Sequence, residues 1–302
     1  MTKVCEDWFP KGTWEYQKSD GFSMHPVLKQ QLDYLLKNIK NDWDFTIVIT
    51  GGGEVRVGKS VLAMQIGCYW AHEIQRLYGH ECPFDLENNF VFQGDKLIHQ
   101  GNQLGVKYPY SVLIFDEAGA DLEGRKAMQS QTQDVLDYLR ECGQYNMLNV
   151  IVMPEFFDLP KGIAISRSIF LIDVTYQANE QGIFQRGIFN FYSRPNKKML
   201  YLKGKRELDY NAWKYDFRGS FDNFYPINEE EYRAAKQTAL LHRENKRRSK
   251  FQTQRDACWF LLNRDLGWTL AQIGQRMEQL TGIYTPNTTI SDGVRRFLMD
   301  NE

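Results

Sequence analysis

No part of this chain stays apolar over the ~20 residues that a membrane-spanning helix needs, so no membrane insertion is expected. Its first residues, MTKVCEDWFPKGTWEYQKSD, mix charges with aromatics and have no apolar core, so a secretory leader is not expected there. Cysteine is scarce. The five present (Cys5, Cys68, Cys82, Cys142 and Cys258) are odd in number and never spaced C-x-x-C. That argues against a disulfide framework or a zinc site and for a reducing, cytoplasmic setting. Charge of one sign is lacking as well: the formal net charge is −1, which by itself names no partner. Internal repeats and low-complexity segments are absent. What remains is 302 residues of ordinary soluble composition, room for one sizeable α/β domain and a small second one.

The most informative stretch is TIVITGGGEVRVGKSVLAMQ, Thr46 to Gln65. A β-branched run (Thr46 to Thr50) ends in glycines, and a helix-like segment follows from Val61 to Trp70. Between them Gly53, Glu54, Val55, Arg56, Val57, Gly58, Lys59 and Ser60 give the spacing G-x-x-x-x-G-K-S, strand before and helix after. Phosphate oxygens must be met by backbone N–H groups, and Gly53 and Gly58 supply positions without a Cβ. The helix that starts near Lys59 and Val61 points its positive end at the anion. Lys59 is expected to reach the β- and γ-phosphates of ATP, and the Ser60 hydroxyl to bind Mg²⁺. Gly51 and Gly52 let the strand turn sharply. Arg56 is expected to face solvent or a neighbouring subunit. After the fifth strand there is no N/T-K-x-D run of the kind that reads guanine, which favours ATP.

Taken in order, residues 1–22 read as an irregular aromatic arm, and HPVLKQQLDYLLKNI (His25 to Ile39) as an amphipathic helix; arm and helix together make a segment 1–40. Apolar runs at Phe45 to Thr50, Asn89 to Phe92, Tyr110 to Glu117, Leu148 to Met153 and Ile169 to Val174 read as strands. Helical patterns at Gly94 to Leu104 and Arg125 to Tyr145 alternate with them. Mostly apolar strands alternating with helices predict a parallel sheet covered on both faces, an ATPase core over 41–225. Gly182 to Tyr192 and Lys198 to Lys203, separated by Arg194-Pro195-Asn196-Lys197, predict a β-hairpin extension (about 175–221). Its basic residues, Arg186, Arg194, Lys197, Lys198, Lys203 and Lys205, would serve a DNA-tracking or subunit-contacting arm, or an ordinary solvated face. A basic helical linker is expected over 226–250. Three short helices, Gln252 to Arg264, Thr269 to Leu280 and Pro286 to Met299, make a separate domain over 251–302.

A second motif supports the first. Val112-Leu113-Ile114-Phe115 is a buried strand that ends in Asp116 and Glu117. Asp116 would hold Mg²⁺ through its water shell, and Glu117 would orient and deprotonate the attacking water. With one βα unit between the motifs, the pair resembles the P-loop ATPases that carry an additional strand and a catalytic glutamate. The resemblance implies a RecA-like α/β fold, strand order 5-1-4-3-2, and assembly into homo-oligomeric rings or pairs.

A finer resemblance covers Thr46 to Val174. Phe115-Asp116-Glu117-Ala118-Gly119, Leu139-Arg140, Phe157-Asp158-Leu159-Pro160 and Ile163-Ala164-Ile165-Ser166-Arg167 are similar to the FtsK/HerA-type DNA-pumping ATPases. That group includes conjugation coupling proteins, virus packaging ATPases and zonula occludens toxin-like phage proteins. It tends to place a polar residue, often Gln, at the strand tip where this chain has Pro154-Glu155. AAA+-like loaders and transposition ATPases therefore stay open. Phosphoryl transfer calls for a cation, often from a neighbouring subunit; the candidates are Arg140 and Arg167, with Arg125 a third.

The C-terminal helices resemble a helix-turn-helix whose last helix enters the major groove. Thr269 and Thr285 are good N-caps, and Ile290, Val294, Phe297 and Leu298 form the inner face of the last helix. Candidate contacts to duplex DNA are Thr288, Thr289, Arg295 and Arg296, with Arg247, Arg248 and Lys250 of the basic run meeting phosphates. A helical lid or subunit-contact domain is the alternative. The expected function is a Mg²⁺-ATP-dependent motor that moves or packages DNA, with a phage or plasmid protein as partner. The alternatives are an ATP-switched replication or transposition loader, and a phage assembly or secretion ATPase that binds protein through its C-terminal helices.

Overall fold

The apolar runs read as strands form the parallel part of one sheet in the computed structural model, which describes residues 2–3, 22–54, 56–122, 130–246 and 250–299. These strands are β1 (Phe45–Thr50), β2 (Phe90–Val91), β3 (Val112–Phe115), β4 (Leu148–Val152) and β5 (Ser168–Ala178). Two further strands, β6 (Phe184–Tyr192) and β7 (Phe217–Ser220), join antiparallel, so the seven-stranded sheet runs β2-β3-β4-β1-β5-β6-β7. Its parallel part, counted from β5, has the order 5-1-4-3-2, the arrangement that the resemblance implied. In register, Ile47 of β1 lies between Val150 of β4 and Phe170 of β5.

Alternation along β1 builds two cores. Ile47 and Ile49 pack with Leu32 and Leu36 of α1 (Pro26–Ile39) and with Leu62 and Ile66 of α2 (Lys59–Tyr78). Val48 points to the other face, among Leu97 and Leu104 of α3 (Gly94–Lys107) and Val135 and Leu139 of α4 (Ser130–Glu141). Every residue of β1 is buried, as a strand covered on both faces requires. Within the helix read over 125–145, the described residues hold α4 and a 3-10 turn (Cys142–Tyr145); a single turn, Gly119–Leu122, lies ahead of that range. Arg125 and Met128 lie outside the described residues, as does the arm over 4–21; Thr2–Lys3 pairs antiparallel with Ser23–Met24.

The expected hairpin is corrected. Its first arm is β6, but the partner is the strand before it, β5, through a turn in which Asn179 Oδ1 accepts from Gln181 N and Ile183 N at 3.0 and 2.8 Å. Arg194 to Lys197 opens a helix instead of a turn: α5 (Arg194–Gly204) has Pro195 in its first turn, where a missing N–H costs nothing. Lys197, Leu200, Tyr201 and Gly204 form its buried stripe at helical spacing. The basic residues do not share one arm. Lys197 is fully buried, Lys203 lies over the Trp213 ring, and Arg194 donates to Ser166 O.

Contacts divide the chain into Met1–Lys236 and Gln237–Glu302; α6 (Glu229–Lys246) begins in the first unit and ends in the second. The second unit holds α7 (Lys250–Phe260) with a π-helical turn (Leu261–Asp265), α8 (Leu270–Thr281) and α9 (Asn287–Met299). Its core is Trp259, Ile273, Ile290 and Val294. A Cβ on Gly293 would sit 2.6 Å from the Trp259 ring, so only glycine lets α9 lie this close to α7. Thr269 and Gln272 form a reciprocal capping box at the start of α8.

Candidate active site

β1 delivers the chain at its C-terminal end into Gly51, and the loop that follows folds back on the tip of β4: Gly53 N donates to Pro154 O at 3.0 Å and Glu54 N to Gly51 O at 2.7 Å. Gly53 (φ 79) and Gly58 (φ 106) have the left-handed backbone that favours glycine. Gly58 is also crowded, since a Cβ there would meet the Phe221 ring at 3.1 Å. Val57 is buried and anchors the loop, Arg56 is exposed, and Val55 lies outside the described residues. Gly58 caps α2, so the helix starts at Lys59, as the spacing predicts, and its free N–H groups face the loop. Lys59 Nζ donates to Glu54 O within the loop. Burial lowers its pKa, which the Glu117 carboxylate counters. Val61 turns into the core.

Ser60 and Asp116, far apart in sequence, are brought together: Ser60 Oγ donates to Asp116 Oδ1 at 3.3 Å. The same oxygen accepts from Glu117 N at 2.9 Å. Asp116 is buried at the tip of β3, and its Oδ2 accepts from Tyr232 OH and from Lys236 Nζ, the latter at 3.1 Å. Glu117 follows with φ 59, a strained value for a side chain this size, and turns its carboxylate into a cavity of about 940 Å³. Lys236 Nζ also lies 2.8 Å from Glu117 Oε1. Burial pulls the Lys236 pKa down, but Asp116 and Glu117 outweigh it and leave the ammonium above the ordinary lysine value.

The glycine cradle at a helix N-terminus fits a polyphosphate, and the hydroxyl and carboxylate oxygens of Ser60 and Asp116 suit a hard cation such as Mg²⁺. Site and strand order together settle the architecture. This is a RecA-like P-loop fold.

Among solved structures, the chain is similar to the genome packaging NTPase B204 of Sulfolobus turreted icosahedral virus 2 in complex with AMPPCP. The identity is 14% and the TM-score 0.34, over 51% of this chain and 94% of that one. B204, the DNA-packaging ATPase of Sulfolobus turreted icosahedral virus, matches at 17% identity and a TM-score of 0.34, covering 52% and 95%. The N-terminal domain of zonular occludens toxin from Neisseria meningitidis matches at 11% and 0.31, covering 50% and 84%. No protein-family model matches the chain, and no curated protein matches it.

Arg140 and Arg167 do not line the cavity of their own chain. Arg167 precedes β5 and pairs with Asp44, which precedes β1; it also donates to Leu139 O. That places it at the N-terminal edge of the sheet, away from the loop at the C-terminal edge, in a half-buried ion pair. Arg140 pairs with Asp137 one turn back on α4 at 2.7 Å. In the second unit Arg296 is bound through Nε and Nη2 to the buried Asp256, at 3.1 and 2.9 Å, which ties α9 to α7. Thr288 and Arg295 are exposed on α9, and Thr289 is half-buried. Lys250 opens α7, while Arg247 and Arg248 lie outside the described residues. Among the described residues no helix is long and apolar enough to cross a membrane, and no His, Cys, Asp and Glu cluster is fit to hold a metal by itself.

Sequence reasoning missed Tyr232 and Lys236, and it missed an acid pair behind the loop. Glu155 Oε1 accepts from Tyr210 OH at 2.7 Å and from Phe157 N at 3.1 Å, while a Cβ on Gly53 would lie 3.8 Å from its Oε2. Asp173 accepts from Thr50 Oγ1 at 3.4 Å. Burial first, then the neighbouring Glu155, pushes the Asp173 carboxyl up to about 7. An unfolded aspartate titrates at about 4. Between these values the folded chain holds a proton that the unfolded chain has released. Stability therefore falls as pH rises from about 4 to 7, by up to about 1.4 kcal/mol per pH unit, and then levels off. Asp173→Asn is expected to flatten that slope in urea melts taken from pH 5 to pH 8; an unchanged slope would show that the proton sits elsewhere.

Proposed function

We propose that the chain is a Mg²⁺-dependent ATP hydrolase that moves or packages DNA and works as a homo-oligomer. The observation that carries the hydrolase reading is the convergence of Ser60, Asp116 and Glu117 at the open end of the phosphate loop. The loop N–H groups from Arg56 to Ser60 and the Lys59 ammonium bind the phosphates. Ser60 and Asp116 would hold Mg²⁺, which when bound would neutralise charge on the phosphates. Glu117 orients a water molecule and takes its proton. Lys59 must turn from Glu54 O to the phosphates, a rotation that its flexible stem allows.

The DNA half of the reading rests on the basic run of 243–250, on the exposed Thr288 and Arg295 of α9, and on the family resemblance of Thr46 to Val174. Its test is ATP hydrolysis by the full chain with and without long duplex DNA, alongside gel retardation at low salt. Several-fold stimulation is expected, and Arg295→Ala should weaken retardation and lower the salt slope by about one. Turnover that ignores DNA, together with no retardation at low salt, would turn the assignment to an ATPase that acts on a protein partner.

A further inference from the structure

The oxygens that would surround the metal already converge on one atom of the chain itself. Lys236 Nζ lies 3.1 Å from Asp116 Oδ2, 2.8 Å from Glu117 Oε1 and 3.4 Å from Ser60 Oγ. It reaches them from the second turn of α6. One turn earlier, Tyr232 donates its hydroxyl to the same Asp116 oxygen. The Tyr232 ring is wedged among Phe90, Phe92 and Tyr225, with centroids at 6.1, 5.9 and 6.4 Å. The start of α6 is thus held over both acids, by a rigid aromatic anchor and by a cation on a flexible stem.

Two carboxylates this close repel each other unless a positive charge lies between them, and Lys236 provides it. A hydrated Mg²⁺ demands near-octahedral oxygen geometry and cannot share these oxygens with an ammonium, which repels it as well.

We propose that Lys236 is a tethered cation of the metal seat, held between Ser60, Asp116 and Glu117 until Mg²⁺ and nucleotide displace it, so that its release tells the start of α6 that the site is filled. The inference rests on the Mg²⁺-nucleotide reading of the site. Withdrawal of Lys236 leaves Tyr232 on Asp116, and the first turns of the helix lose the Lys236 hold on Glu117. Occupancy of the site is then written into the local stability of residues 229–236.

The test is calorimetric titration of the full chain with a non-hydrolysable ATP analogue over a range of Mg²⁺ concentrations and in chelator. Lys236→Met is expected to lower the Mg²⁺ concentration for half-maximal binding about tenfold, since the metal no longer competes with a resident charge. Lys236→Gln should move it the same way, which keeps the test open should the Met variant fail to fold. Lys236→Arg keeps the charge and should stay near the native value. In the native chain, hydrogen exchange at the amides of 229–236 should quicken with Mg²⁺ and analogue together and not with analogue in chelator. An unchanged Mg²⁺ midpoint in both neutral variants overturns the proposal, and so does weaker binding, which would mean that the ammonium stays to serve the phosphates. A native chain that binds no analogue at any metal level overturns the nucleotide reading itself, a result distinct from both.

Discussion

Glu117→Gln should lower the turnover number about 10³-fold while leaving Mg²⁺-ATP bound, because the amide keeps the shape of the side chain but loses its negative charge and its ability to take a proton. The geometry favours Glu117 over Asp116 for this role. Both oxygens of Asp116 are engaged, by Ser60 Oγ and Glu117 N on one side and by Tyr232 and Lys236 on the other. The Glu117 side chain keeps 35% of its surface open to the cavity. It sits there with a φ of 59, in the left-handed region. A left-handed non-glycine residue costs on the order of 1 kcal/mol. Glu117→Gly should therefore be no less stable in a urea melt and still be inactive. Single-turnover hydrolysis and equilibrium binding of a fluorescent ATP analogue, measured on the same samples, separate chemistry from affinity. A Gln variant within tenfold of native turnover would remove Glu117 from the base role and leave positioning by the loop as the source of catalysis.

The parallel core was legible because its signals are local. FTIVIT, VLIF and LNVIV are short apolar runs, and G-x-x-x-x-G-K-S has a fixed spacing, so strand, loop and helix could be placed from each alone. The order 5-1-4-3-2 came from the resemblance, since no run of residues says which strand lies beside which. The hairpin was misread where two local rules compete. Arg194-Pro195-Asn196-Lys197 suits a turn, yet proline also opens helices, and the stripe of Lys197, Leu200, Tyr201 and Gly204 was hidden because lysine scores as polar. The clamp of α6 over the acids was not legible at all. Tyr232 and Lys236 meet Asp116 across 116 and 120 residues, and nothing near them in sequence marks that meeting. The place of Arg167 was not legible for a related reason: position after a family-like run does not say which end of the sheet a residue occupies.

The largest loss of stability is expected from Lys197→Met. The ammonium of Lys197 is fully buried, and its Nζ donates to Ser168 O at 2.6 Å, Ala164 O at 2.7 Å, Ser168 Oγ at 2.7 Å and Ile165 O at 3.3 Å. Ala164 O and Ile165 O belong to the π-helical turn Gly162–Arg167, and Ser168 opens β5 directly after it. A lysine from α5 joins the turn to the sheet at Ser168. Methionine fills much the same volume but brings no donor, so these oxygens lose a charged partner, and Ser168 Oγ, 3.2 Å from Ala164 O, replaces little of it, at a cost of about 3 kcal/mol. Burial, with Arg194 adding to it, pulls the Lys197 pKa down to about 7. A free lysine titrates at about 10.4. Between these values the unfolded chain binds more protons than the folded one, so the native chain gains stability as pH rises from about 7 toward 10 and loses it as pH falls back through 7. The Met variant has no such gain. The gap between the two proteins in urea midpoint should therefore be wide at pH 7 and wider at pH 9. A gap of under about 1 kcal/mol at pH 7 would mean that water replaces the ammonium at the turn. A gap that does not grow with pH would mean that the carbonyl cage holds the charge as firmly as solvent does.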